Sequence, residues 1–229
     1  MPTDTREERL AHRIDDLSAT DPQFAAALPD EAIAEAIEDP QLRLPQIIAT
    51  VLDGYADRPA LGQRAVRLVA DPHTGRTEAQ LLPHFDTITY GELSTRIHHL
   101  LTALTDVDPG DRVAILGFTS VDYTVIDTTL VLRGAVSVPL QTSAPAATLR
   151  PIVAETEPVV FAASVDHLSD AVDLVADAES VGRLIVFDYR AEVDDHRDAI
   201  ADARARLADA GRSIEIVTLS EVCLLYTSD

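Results

Sequence analysis

Seven histidines, two consecutive aspartate pairs and two glycine- or hydroxyl-bearing turns are the residues whose types could do chemistry. The histidines do not converge. His98 and His99 are neighbours on one predicted helix, so their side chains diverge by about 100° and cannot chelate one ion as an i, i+4 pair could. His73 lies in a turn, His84 follows Pro83, and His12, His167 and His196 are expected on exposed helix faces among charges. Asp15-Asp16 and Asp194-Asp195 are sequence neighbours, whereas acid–base carboxylates must meet across a cleft. The turn Leu116-Gly117-Phe118-Thr119-Ser120-Val121-Asp122-Tyr123 has one glycine where a dinucleotide fingerprint needs three. Thr119 and Ser120 are therefore read as helix N-caps with Asp122 in the first turn, the alternative being an anion contact. In Pro139-Leu140-Gln141-Thr142-Ser143-Ala144-Pro145 capping again suffices, with Pro145 near the first helical position. Lining of a nucleotide or acyl cleft stays open there. No catalytic, cofactor-binding or metal-ligating residue is assigned from these motifs.

The chemistry is bounded further by what the chain lacks. All 18 basic residues are Arg, and Lys, Asn and Trp are absent. That removes a GK[ST] phosphate loop, a Schiff-base amine and a Lys placed against developing phosphate charge. The formal charge of −21 disfavours nucleic acid and anionic membrane surfaces as partners. Cys223 is the single cysteine and permits no internal disulfide. Met1-Pro2-Thr3 runs into charged residues without the basic and apolar segments of a secretory signal, so a cytoplasmic location is expected.

With 229 residues, 46% of them hydrophobic, the chain can build a packed core. Residues 1–40 predict two amphipathic helices, broken at Thr20-Asp21-Pro22 and closed at Glu38-Asp39-Pro40. A helix over Leu44–Tyr55 follows. Ala65–Val69 and Phe85–Tyr90 read as strands joined by an unusually long excursion that includes the turn formers Asp71–Gly75. From Tyr90 onward helix and strand alternate: helix to Thr105, strand Arg112–Leu116, helix Val121–Arg133, strand Ala135–Pro139, helix Ala146–Glu155, strand Val159–Ala163. Helix Val165–Ala178, strand Arg183–Phe187, helix Asp194–Ala210 and strand Ser213–Leu219 complete the series. Continuous apolar strands alternating with helices predict an α/β fold: a doubly wound, mostly parallel sheet with helices on both faces. A short helical leader and a β-hairpin-like segment precede it.

Three elements in order, Thr87-Ile88-Thr89-Tyr90-Gly91-Glu92-Leu93, Asp108-Pro109-Gly110-Asp111-Arg112-Val113-Ala114-Ile115 and Leu132-Arg133-Gly134-Ala135-Val136-Ser137-Val138-Pro139-Leu140, resemble the amino-terminal region of adenylate-forming enzymes. That superfamily includes acyl-CoA synthetases, luciferases and peptide-synthetase adenylation domains. Val138–Ala144, Leu149–Pro158 and the acidic helical leader resemble, more narrowly, the adenylation domain of bacterial carboxylic acid reductases. The resemblance covers nearly all of residues 1–222. It implies a parent that activates a carboxylic acid with ATP and Mg2+ to an acyl-adenylate. The acyl group then passes to a phosphopantetheine carrier domain, and a reductase domain makes the aldehyde with NADPH.

The superfamily's ATP loop with its Lys, its adenine and ribose motifs and its catalytic Lys have no counterpart in these residues, so no site residue is carried over. The expectation is a fragment inactive by itself, binding none of these cofactors tightly. It would comprise a helical extension over 1–45, part of the large adenylation subdomain over 46–222, and a non-native tail over 223–229. A fragment of a fatty-acid or acyl-CoA ligase, and a non-catalytic α/β binding or scaffold module, are the alternatives. The last strand, Ser213–Leu219, is expected to leave an open sheet edge.

Overall fold

Aliphatic runs of four or five residues make the central feature, a sheet of five parallel strands in the order β4-β3-β5-β6-β7. The computed structural model describes residues 5–224. The strands are β3 (Arg112–Leu116), β4 (Val136–Leu140), β5 (Val160–Ser164), β6 (Arg183–Phe187) and β7 (Glu215–Thr218). Alternate side chains of a strand point to opposite faces, and in the three inner strands, β3, β5 and β6, both sets are buried. Ala114, Leu116, Phe161, Ala163, Leu184 and Val186 join one core with Leu149, Val153, Val172 and Ile200. Val113, Ile115, Val160, Ala162, Ile185 and Phe187 are equally inaccessible. The doubly wound reading therefore holds, and it follows from apolar strands too short and too uniform to show one wet face.

Two compact units make up the chain, residues 1–54 and 55–229. In the first, α1 (Arg6–Thr20) opens on a capping box in which Thr5 accepts from the Glu8 N–H and Glu8 accepts from the Thr5 N–H. The expected second helix is two: α2 (Pro22–Ala27), capped by Asp21 with Pro22 at its first position, and α3 (Glu31–Ile37), capped by Asp30. Pro29 divides them, because the residue before a proline is pushed out of the helical region and Leu28 is extended (φ −61°, ψ 143°). α4 (Leu44–Gly54) ends where Ile33 leaves no room for a side chain, a Cβ on Gly54 lying 2.5 Å from its Cδ1.

The second unit begins with β1 (Pro59–Ala70) and β2 (Thr77–Thr89), a long antiparallel hairpin. The anticipated excursion is absent, since residues 77–84 continue β2. Pro83 falls where the register shifts between the Arg64–Phe85 and Val66–Leu81 pairs, an irregularity that tolerates a residue without an N–H. Asp71 closes the turn by accepting the N–H groups of His73 and Thr74. Thr89 and Glu92 form a capping box for α5 (Tyr90–Ala103).

After β3, α6 (Val121–Arg133) ends on Gly134, whose left-handed φ of 75° favours glycine. α7 (Ala146–Thr156) has Pro145 at its cap and no side-chain cap bond, so Thr142 and Ser143 do not cap it; Ser143 Oγ instead accepts from Gln141 Nε2 at 2.9 Å. The helix expected over Val165–Ala178 is a 3-10 turn (Val165–His167) followed by α8 (Leu168–Val175). α9 (Asp194–Asp209) and α10 (Leu219–Leu224) flank β7. Cys223 and Leu224 thus continue a helix, and residues 225–229 of the expected tail lie outside the described residues. Among the described residues β7 pairs only with β6, leaving the anticipated edge, and no helix is long and apolar enough to cross a membrane.

Candidate functional site

The chain runs from β3 to β4 on one side and reaches β5 on the other side of β3, so the sheet's topological switch point lies between β3 and β5. Ligands of open α/β sheets gather outside the carboxyl ends of strands at such a point. Here the β3 turn is closed by packing. A Cβ on Gly117 would lie 2.5 Å from Phe187 Cζ and 3.1 Å from Ser164 Cβ. Glycine is present because an aromatic ring already fills the space, and the turn offers no cradle for an ATP phosphate. Ser120 caps α6 as expected, its Oγ accepting from the Tyr123 N–H at 3.1 Å. Thr119 is exposed and is not the cap.

Asp122 does more than favour the first turn of α6. Its carboxylate accepts the Asp188 N–H at 3.0 Å and so ties the end of β6 to the start of α6. Asp188 is one of two non-glycine residues with positive φ among the described residues, at 55°, a conformation Asp tolerates better than most side chains. Burial, then the nearby charge of Asp122, pushes its carboxyl up to about 6, partly offset by a hydrogen bond with Ser120. Its Oδ1 is buried without a hydrogen-bond partner.

A cavity of about 290 Å³ opens beside these residues, lined by Arg64 and Asp86 of the hairpin, Arg96 of α5, Asp122, Asp188 and Arg190 among others. A neighbouring cavity of about 340 Å³ shares Arg96 and Asp122 and reaches Cys223, whose thiol is pushed up to about 11 by burial first and by Asp122 second. That thiol is neutral at physiological pH and a poor nucleophile.

The remaining candidates stand apart. His98 Nδ1 lies 2.8 Å from the Ser94 carbonyl oxygen on its own helix, and His84 is 3.9 Å from Asp86. His167 and His196 are not on exposed faces. His167 packs its ring 5.6 Å from Phe118 in the 3-10 turn. His196 accepts the Arg190 N–H at 3.0 Å and is held below the usual histidine range, mainly by burial. Asp194 and Asp195 do sit at a helix start, where they meet the hairpin tip. Asp194 accepts the Thr77 N–H at 2.6 Å, and Arg76 reaches Asp195 at 2.7 Å and Asp198 at 2.5 Å. Among the described residues no three His, Cys, Asp or Glu side chains are grouped to hold a metal ion.

Comparison with known proteins places this geometry. Residues 62–228 match the sequence profile of the family described as AMP-binding enzyme. The chain is 58% identical over 193 residues to a carboxylic acid reductase of Mycobacterium tuberculosis, covering 83% of this chain and 16% of that protein. It is 49% identical over 220 residues to the carboxylic acid reductase of Segniliparus rugosus, covering 94% and 18% respectively. The solved A-PCP didomain of the Segniliparus rugosus reductase, in complex with AMP, superposes with a TM-score of 0.90 at 50% identity, over 94% of this chain and 31% of that one. The chain therefore spans less than a fifth of the length of these curated relatives. With a profile match over most of its length and this likeness to reductase adenylation domains, the chain belongs to the family of AMP-binding enzymes.

Proposed function

We propose that the chain is the amino-terminal part of the adenylation domain of a carboxylic acid reductase. On this reading the parent protein activates a carboxylic acid with ATP and Mg2+ to an acyl-adenylate. It passes the acyl group to the phosphopantetheine thiol of a carrier domain and reduces the thioester with NADPH to an aldehyde, in the cytoplasm. Residues 1–45 are its helical extension and residues 46–222 part of its large subdomain. The observation that carries the proposal is sequence identity of 49–58% to reductases from two genera, one of the matches spanning 94% of the chain. These residues supply the packed sheet on which the reaction centre is mounted. They contribute no Lys and no open phosphate turn, and the isolated chain is expected to leave ATP unreacted.

The test is a graft. The matching segment of the Segniliparus rugosus reductase is replaced by residues 5–222, and carboxylate-dependent ATP–pyrophosphate exchange and NADPH oxidation are measured. The expected result is a hybrid that performs both and a 229-residue chain that performs neither. A hybrid that folds but does not exchange pyrophosphate refutes the assignment, and exchange by the isolated chain refutes the division of labour.

A further inference from the structure

The loop that joins β6 to α9 forms one wall of the larger-mouthed cavity beside α6, since Asp188, Tyr189 and Arg190 all line it. Asp122 holds the start of that loop through the Asp188 N–H. Further on, the Val193 N–H donates to the Arg190 carbonyl oxygen at 3.1 Å, and Arg197 reaches the Ala191 carbonyl oxygen at 2.5 Å. The Arg190 N–H between them has a different kind of acceptor: Nδ1 of His196, 3.0 Å away in the first turn of α9. A backbone N–H can only donate, so Nδ1 must present a lone pair and the ring proton must sit on Nε2. The same imidazole is half-buried and lies 6.0 Å from the Tyr189 ring, centre to centre. One histidine therefore meets two successive residues of the cavity wall.

The other acceptors that fix the loop are carbonyl oxygens and a carboxylate; among them the imidazole alone exchanges its lone pair for a proton close to neutral pH. Once protonated, both ring nitrogens are donors, and Nδ1–H would confront the Arg190 N–H. We propose that His196 is a pH-sensitive clasp on the β6–α9 loop, closed while its imidazole is neutral and opened by protonation, which releases Tyr189 and Arg190 from the cavity wall. The charged groups facing the ring are Asp166 from the turn after β5, Arg190 from the loop and Asp195 from its own helix, the last already engaged by Arg76 of the hairpin. Burial, with Arg190, outweighs the two carboxylates and holds the imidazole below its ordinary 6.5. The clasp is thus complete at neutral pH and is lost as pH falls through that lowered value. Asp188 titrates in the same loop with the opposite linkage, its carboxyl being pushed up to about 6, so the test separates the two groups. The clasp is built from this chain's own residues and does not depend on the assignment of the parent's reaction.

The test follows ring and loop together in the nitrogen-labelled 229-residue chain. The His196 ring nitrogens and the exchange protection of the Arg190 amide are read by NMR from about pH 8 to about pH 5, a range that brackets the histidine titration. The ring is expected as the Nε2–H tautomer at the upper end. On acidification the Arg190 amide should lose at least tenfold of its protection, corrected for the intrinsic pH dependence, at the midpoint of the ring titration and while β5 keeps its own. Asparagine sets an oxygen near the Nδ1 position and does not titrate, so His196→Asn should stay protected throughout, and His196→Ala should lack protection throughout. Asp188→Asn should leave the transition in place; asparagine tolerates left-handed φ, so this variant keeps the backbone. The proposal is overturned by a ring still neutral at the acid end, by Arg190 protection that is unchanged while the ring titrates, by a transition that survives in His196→Asn, or by one that vanishes in Asp188→Asn. The wild-type titration decides even if a variant fails to fold.

Discussion

Gly117→Ala tests whether the turn after β3 is a packing junction or a ligand cradle. The added Cβ would stand 2.5 Å from Cζ and 3.0 Å from Cε2 of Phe187, and 3.1 Å from the Cβ of Ser164. Carbon atoms pack best at about 3.5–4.0 Å, so the ring must retreat by about 1 Å. It has nowhere to go: Phe187 is fully buried and meets Tyr123 edge-on at 6.2 Å. Overpacking of this kind costs about 1–3 kcal/mol. Gly117 does not occupy the left-handed region, so alanine adds no backbone strain and stiffens the unfolded chain by about 0.4–1 kcal/mol in its favour. The net expectation is a loss of about 1–2 kcal/mol, read as a lower urea midpoint by far-ultraviolet circular dichroism. Phe187→Leu removes the two clashing atoms, so the double variant should cost at least about 1 kcal/mol less than the sum of the single changes. An unchanged midpoint for Gly117→Ala, or strict additivity, would refute the account of the turn.

Asp188→Asn removes a carboxyl whose folded value, about 6, exceeds its ordinary 3.8. The folded state holds a proton that the unfolded state releases between those values, so stability falls as pH rises through that window and the full penalty is present above about 6. At about 1.4 kcal/mol per pH unit, reduced for partial solvent access, the variant should gain about 1–2 kcal/mol at pH 8 and progressively less toward pH 4; equal gains at both ends of a urea-midpoint series would contradict it. Ser120→Ala removes the α6 cap and should cost about 1 kcal/mol, lowering the melting temperature by about 2–4 °C in a thermal scan. Arg76→Ala frees the hairpin tip from Asp195 and Asp198, and hydrogen exchange should accelerate over residues 71–77 while β5 and β6 keep their protection.

The sheet was the most legible part of the sequence. Val113–Leu116, Val160–Ala163 and Leu184–Phe187 are unbroken apolar runs at helix-spaced intervals, each too short for a buried helix and of the length of a strand buried on both faces. The hairpin was half legible, because Thr77–His84 mixes exposed polar and apolar residues and contains Pro83, which argues against a strand unless the register is irregular. The α2–α3 split is marked in the sequence by Pro29, which the reading of one helix before Glu38-Asp39-Pro40 did not use. Ser120 and Asp122 were readable as local helix chemistry. The hydrogen bond that Asp122 accepts was not, since its donor, the Asp188 N–H, lies 66 positions away and depends on β6 lying near β3. For the same reason Arg64, Arg96 and Arg190 carried no shared signal. Their elements meet only once the sheet order is set, and the faint clue was an acidic residue directly after an apolar strand.

The order β4-β3-β5-β6-β7 also dictates how the chain can assemble as it leaves the ribosome. After β4 takes one flank of β3, every later strand is added to the opposite flank in the order of synthesis, so the sheet grows at a single moving front. Until Val160 emerges, the residues Val113–Leu116 are matched on one side only. At about 5–20 residues per second that exposure lasts seconds, longer than a hairpin needs to form. A nascent chain stalled between β4 and β5 would therefore present the unpaired flank of β3 for as long as the stall lasts.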